Sequence, residues 1–161
     1  MVLLMKSVAV ILPFYGRVFW YAGFIGLLLL NTGNCHAGKT SESLVIITDT
    51  GNSVRELSFH DLRAIYALRM QTWPDGKAIT VYSLPDHDSM HMLFCKNVLK
   101  TLPQYLRQNW DRQVFSGAAA PPIIIRNSQI MKELIAQTPG AIGYVLASQV
   151  DSSVVPITIK P

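Results

Sequence analysis

Thr138-Pro139-Gly140-Ala141-Ile142-Gly143-Tyr144-Val145 is the stretch on which the fold turns. Pro139-Gly140 is a helix stop, because proline cannot continue the donor ladder and glycine accepts the backbone angles of a tight exit. The apolar run Ala141 to Leu146 reads as a strand with Gly143 inside it. Upstream, Ser128 begins a helix that runs through Ile135, and Ile123 to Ile125 is a brief strand behind the breaker Gly117-Ala118-Ala119-Ala120-Pro121-Pro122. Downstream, Val154 to Ile159 supplies a last strand. The C-terminal third therefore reads strand, helix, strand, strand.

The same alternation continues toward the N-terminus. Leu44 to Thr48 (LVIIT) is a short, β-branched, apolar run, ended by turn residues Asp49-Thr50-Gly51-Asn52. A loop follows. Ser58 with Asp61 three residues on has the form of a capping box, and Leu62, Ile65, Tyr66 and Arg69 continue at helical spacing, so one helix is expected over Ser58 to Leu68. Trp73-Pro74-Asp75-Gly76 is turn chemistry, after which Ile79 to Tyr82 reads as a strand. Met90, Leu93, Phe94, Val98 and Leu99 form a further helical stripe, ended by Leu102-Pro103. Pro103 can open the next helix, which carries Tyr105, Leu106, Asn109 and Trp110. Alternating strands and helices point to a single layered α/β domain with a mixed sheet flanked by helices.

Length and charge fit one domain. In the 161 residues, Val18 to Leu30 is an uncharged, mostly apolar run preceded by Lys6 and Arg17, and Cys35-His36-Ala37 offers small residues at both specificity positions. This pattern predicts a signal peptide over 1–37 and a mature domain over 38–161. An uncut segment would instead tether the domain to the inner membrane. Of 14 basic and 10 acidic residues, the signal removes Lys6 and Arg17. The small remaining positive charge, with no basic run, excludes the electrostatic footprint of a nucleic-acid binder. Cys35 would leave with the signal, so no internal disulfide is expected, and Cys95 on its helical stripe reads as a small buried hydrophobe.

Four stretches, in this order and spacing, carry a resemblance. They are Leu57-Ser58-Phe59-His60-Asp61-Leu62-Arg63-Ala64-Ile65-Tyr66, then Trp73-Pro74-Asp75-Gly76-Lys77, then Asn109-Trp110 with Val114-Phe115-Ser116-Gly117, and finally the segment quoted first. Together they resemble the phosphate-type periplasmic substrate-binding proteins of ABC transporters, over about Leu44 to Ile159. Full members of that type 2 periplasmic-binding-protein family have two lobes with ligand in the cleft between them. The resemblance implies that this chain is one lobe, a short single-lobe phosphate-binding-like protein.

In the family this lobe contributes an Arg and a Ser-Gly-Thr turn that hold an oxyanion at a helix N-terminus. The matching stretch here is Leu84-Pro85-Asp86-His87-Asp88-Ser89-Met90, with Leu84 at the Arg position and Asp88, Ser89 and Met90 in place of Ser, Gly and Thr. The candidate ligand-binding residues are therefore Asp88, Ser89 and Met90. Asp88 or Ser89 as a plain helix cap is the competing reading, and carboxylates at Asp86 and Asp88 would repel an anion. The same segment spaces His87, His91 and Cys95 at i, i+4 and i+8, donor types that suit zinc or copper, with Asp86, Asp88 and His60 as possible additions. A helix start near Ser89 leaves His87 in the loop, so no metal is expected.

No cofactor is implied. The sequence contains no G-x-S-x-G, P-loop or H-E-x-x-H pattern, and the aromatic residues Trp73, Tyr105, Trp110 and Tyr144 are expected in the core. The expectation is a non-catalytic periplasmic solute-binding-like protein for a small solute or anion, with a membrane transporter or envelope protein as partner. A homodimer could supply the missing wall. The alternative is an accessory interaction module with no small ligand.

Overall fold

The computed structural model describes residues 43–160. The signal run Val18 to Leu30, the cut near Ala37 and Cys35 lie outside the described residues. The strands are β1 (Leu44–Asp49), β2 (Glu56–Ser58), β3 (Thr80–Ser83), β4 (Ile123–Ile124), β5 (Ala141–Leu146) and β6 (Val154–Lys160). The helices are α1 (Phe59–Tyr66), α2 (Ser89–Leu93), α3 (Pro103–Phe115) and α4 (Ser128–Gln137). They form the expected mixed sheet, in the order β2-β6-β1-β5-β3-β4. The apolar run LVIIT occupies a central place: β1 is antiparallel to both β5 and β6, whereas β3 runs parallel to β5 and β4.

The Pro139-Gly140 stop is held by three contacts. Gly140 has φ 74°, and a Cβ there would meet the Ala78 carbonyl oxygen at 2.3 Å. Its carbonyl accepts from Trp73 Nε1 at 3.0 Å, and its N–H donates to Asp49 Oδ2 at 2.8 Å. The turn residue Asp49 thus pins the start of β5 from the end of β1. Gly143 serves a second close approach, since a Cβ there would stand 2.5 Å from Ile135 Cδ1 and 2.8 Å from Met131 Sδ. The bare backbone of β5 lets α4 lie directly on the sheet.

Capping follows the sequence. Ser58 Oγ accepts from the Asp61 N–H at 3.0 Å and donates to Asp61 Oδ2 at 2.8 Å, which starts α1, and Pro103 opens α3. Four details differ from the expectations. Glu56–Ser58 is a strand rather than a loop, paired parallel with Thr158, Ile159 and Lys160 of β6. The first helix ends at Tyr66, because Leu68 takes a left-handed φ of 59° and cannot extend it. The stripe from Met90 to Leu99 is not one regular α-helix: α2 passes into a wide π turn over Phe94–Val98, closed by Leu99 N–H donating to the Phe94 carbonyl. Tyr105 is exposed, because Leu106 and Trp110, at i and i+4, form the inward face of α3 and turn their neighbour outward.

Trp73, Trp110 and Tyr144 are buried as expected. Trp110 Nε1 donates to the Tyr66 carbonyl at 2.6 Å, fastening α3 to the end of α1. Tyr144 stacks on Phe94 with centroids 3.9 Å apart, and Phe94 meets Tyr66 edge to face at 4.7 Å. This aromatic layer forms the floor beneath the segment joining β3 to α2.

Candidate functional site

The segment joining β3 to α2 begins by going inward. Leu84, the residue at the family's Arg position, is buried in the core with 1% exposure. Its N–H donates to Tyr144 Oη at 3.0 Å. Pro85 then starts a turn, closed by the Asp88 N–H donating to the Pro85 carbonyl at 2.9 Å. Asp88 ends the turn in an extended conformation, and its Oδ1 accepts from the N–H groups of Met90 (2.8 Å) and His91 (3.3 Å). These are the orphan donors of a helix start, and a carboxylate on the protein's own chain already fills them.

The second carboxylate is equally engaged. Arg107 of α3 grips Asp86 through two of its three guanidinium nitrogens, Nε to Oδ2 at 3.0 Å and a terminal nitrogen to Oδ1 at 2.9 Å. Its guanidinium also lies 4.8 Å from the Trp110 ring centroid. A two-pronged pair with a stacked guanidinium fixes Asp86 in geometry as well as charge.

Below them lies a buried polar cluster. His91 is fully buried, with Nδ1 2.6 Å from Tyr144 Oη and 3.2 Å from Ser83 Oγ. Its Nε2 stands 3.4 Å from Cys95 Sγ and 4.0 Å from Asp86 Oδ1. Burial pulls His91 below the usual histidine range, and nearby Asp86 only partly offsets this. The ring is therefore neutral at neutral pH. Tyr144 Oη accepts from the Leu84 N–H and shares a hydrogen bond with His91 Nδ1, while His91 Nε2 faces Cys95 and Asp86. Burial, with Asp86 adding to it, pushes the Cys95 thiol up to about 12. Burial likewise raises Tyr144 and Tyr66, and the Tyr66 hydroxyl has no hydrogen-bond partner among the described residues.

Of the candidates named from the sequence, Asp88 caps α2, Ser89 is exposed beside it and Met90 is half-buried behind it. His87 is exposed in the turn ahead of the helix, while His91 and Cys95 face each other in the core. His60 is exposed on α1, 3.6 Å from Asp61. Among the described residues no three His, Cys, Asp or Glu side chains stand where they could share one metal ion.

Ser83, His91 and Asp86 have the residue types of a hydrolytic triad. However, Ser83 Oγ is fully buried and donates to the Leu84 carbonyl at 3.2 Å, and Tyr144 holds the histidine nitrogen that would act as base. No substrate atom has a place against that oxygen. The sequence reading missed Ser83, Tyr144 and the Asp86–Arg107 pair as members of this cluster.

No family model matches the chain, and no curated protein is similar to it. Solved structures do share its fold. An ABC-type phosphate transport receptor from Vibrio cholerae matches 72% of this chain at 18% identity and a TM-score of 0.52. A putative phosphate ABC transporter substrate-binding protein from Clostridium perfringens, solved with bound phosphate, matches 72% at 22% identity and 0.57. PstS from Borrelia burgdorferi matches 73% at 13% identity and 0.57. The match covers 46%, 44% and 47% of those chains, so this chain spans less than half their length and has the fold of one lobe.

Proposed function

We infer that the chain is a non-catalytic binding module of the periplasm, built on one lobe of the phosphate-type binding fold, and that the face around Asp88, Ser89 and Met90 meets a partner protein instead of enclosing an oxyanion. One observation carries this reading: the Asp88 carboxylate accepts the Met90 and His91 N–H groups that an incoming anion would need. Leu84 supplies no guanidinium, and Asp88 would repel the ligand as well as displace it.

The geometry favours contact. Asp86 is locked by Arg107 and Asp88 by the helix start, while Met92 and Leu93 of α2 remain about half exposed at 47% and 50%. Polar groups held in place beside exposed apolar side chains lower the ordering cost of association. The non-catalytic reading is supported by a buried Cys95 whose thiol is pushed up to about 12, well short of a nucleophilic thiolate at neutral pH.

The test is site-specific photo-crosslinking in cells that make the full chain. A crosslinker at Ser89 or Met92 gives one discrete adduct with an envelope protein or a second copy, and one at Lys160, at the end of β6 on the far side of β1 and β5 from β3 and β4, gives none. Equal labelling at all three positions would sink the reading.

A further inference from the structure

A second polar region lies between the end of α1 and the outer face of α3, where a half-open groove of about 470 Å³ is lined by Arg63, Ala67, Arg69, Asn109, Arg112 and Gln113. Three of those six side chains are guanidinium groups, two are amides, and none is a carboxylate. Four cations of the described residues hold carboxylates: Lys77 with Asp75, Arg107 with Asp86, Lys132 with Asp151 and Lys160 with Glu56. Arg63, Arg69 and Arg112 form no ion pair among the described residues.

The groove is held in shape. Trp110 Nε1 on the Tyr66 carbonyl and Gln71 Nε2 on the Ala118 carbonyl (2.8 Å) tie its two walls together. The left-handed Leu68, itself buried, reverses the chain so that Arg69 and Met70 N–H both donate to the Ala64 carbonyl, which sets Arg69 opposite α3. Leucine at φ 59° is a strained choice, and the surrounding hydrogen bonds hold it there. Arg63 rests over the Phe59 ring at 5.5 Å, and Arg112 donates to Asn109 Oδ1. Ala67 at the base keeps the groove open, and its volume falls within the range of about 300–1,000 Å³ common for small-ligand sites.

We propose that this groove binds a phosphate group, as a small phosphate ester or a phosphate-bearing headgroup, with Arg63, Arg69 and Arg112 as its forks and Asn109 and Gln113 as neutral donors. Guanidinium presents paired N–H donors that match phosphate oxygens. Three such groups with no carboxylate among the lining residues repel one another, and a phosphate, whose anionic oxygens can meet more than one fork at once, relieves that repulsion. The groove is lined by residues of α1, α3 and the loop after α1, none of them from the segment before α2, so it does not depend on the partner face.

The probes are glycerol phosphate in calorimetric titration and, separately, phosphatidylcholine vesicles with and without phosphatidylglycerol in sedimentation, using the full chain recovered from expressing cells. Saturable binding to either probe is expected, weakened by salt and reduced about tenfold for each of Arg69→Gln and Arg112→Gln. Lys160→Gln leaves it unchanged. Binding of glycerol phosphate alone assigns a soluble ligand, and binding only to phosphatidylglycerol vesicles assigns a headgroup. No binding to either probe, or binding that survives Arg69→Gln with Arg112→Gln while melting temperatures are unaltered, would overturn the proposal. Crosslinking at Ser89 is unaffected by these arginine variants, so the groove and the partner face fail or stand separately.

Discussion

The start of α2 and the groove between α1 and α3 are both polar, and they treat their charges in opposite ways. At α2 every strong group is spoken for: Asp88 by two backbone N–H groups, Asp86 by Arg107, His91 by Tyr144. In the groove, three arginines face open space with no carboxylate to meet them. Satisfied polar groups specify and stiffen a fold, whereas unsatisfied ones on a concave surface retain the capacity to bind. Asp86, Asp88 and His91, which look most chemical in the sequence, are therefore structural in their hydrogen bonding, and exposed arginines that look like ordinary solvated residues are left without a counter-charge.

Substitutions should separate the two regions sharply. Tyr144→Phe keeps the stacked ring but strands the Leu84 N–H and removes the shorter of the two partners of His91 Nδ1. A loss of about 1–3 kcal/mol is expected in denaturant unfolding, from buried groups left without partners. A loss under about 0.5 kcal/mol would mean that the cluster is not the closed network described. Asp88→Ala removes the cap of α2 and should cost about 1 kcal/mol. Asp88→Ser, which can still cap, should recover most of it.

His91 gives the closed region a pH signature. Its folded-state pKa is lowered, so below the unfolded histidine value of about 6.5 the unfolded chain binds the proton first. Stability is then full above that pH and falls as the solution is acidified through it. His91→Gln should flatten this part of the profile relative to the wild-type chain, and an unchanged slope would show that His91 is not held neutral. The smallest effect belongs to the groove: Arg69→Gln and Arg112→Gln remove unpaired like charges and should shift stability by no more than about 0.5 kcal/mol, toward greater stability at low salt.

Much of the fold was legible, because the decisive signals are local. LVIIT, the Ser58 cap, Pro103 and Pro139-Gly140 each act within a few residues of themselves, and the strands and helices they bound are where the patterns place them. β2 escaped notice because Glu-Leu-Ser is too short to carry a period and exists only through β6, far along the chain. The wide turn after α2 escaped because a stripe of apolar residues does not distinguish 3.6 residues per turn from a single wider turn. The site was less legible for the same reason. The Asp88 cap is local and was among the readings, but His91 and Tyr144 are 53 residues apart, and the walls of the groove come from helices separated by a strand and another helix.

The central claim is that the anion position at the start of α2 is closed by the protein's own carboxylate. Backbone amide resonances of Met90 and His91, followed while inorganic phosphate is added, test it most directly. The account predicts that neither resonance moves in the wild-type chain while the arginine side chains of the groove respond; saturable shifts at Met90 and His91 would contradict it.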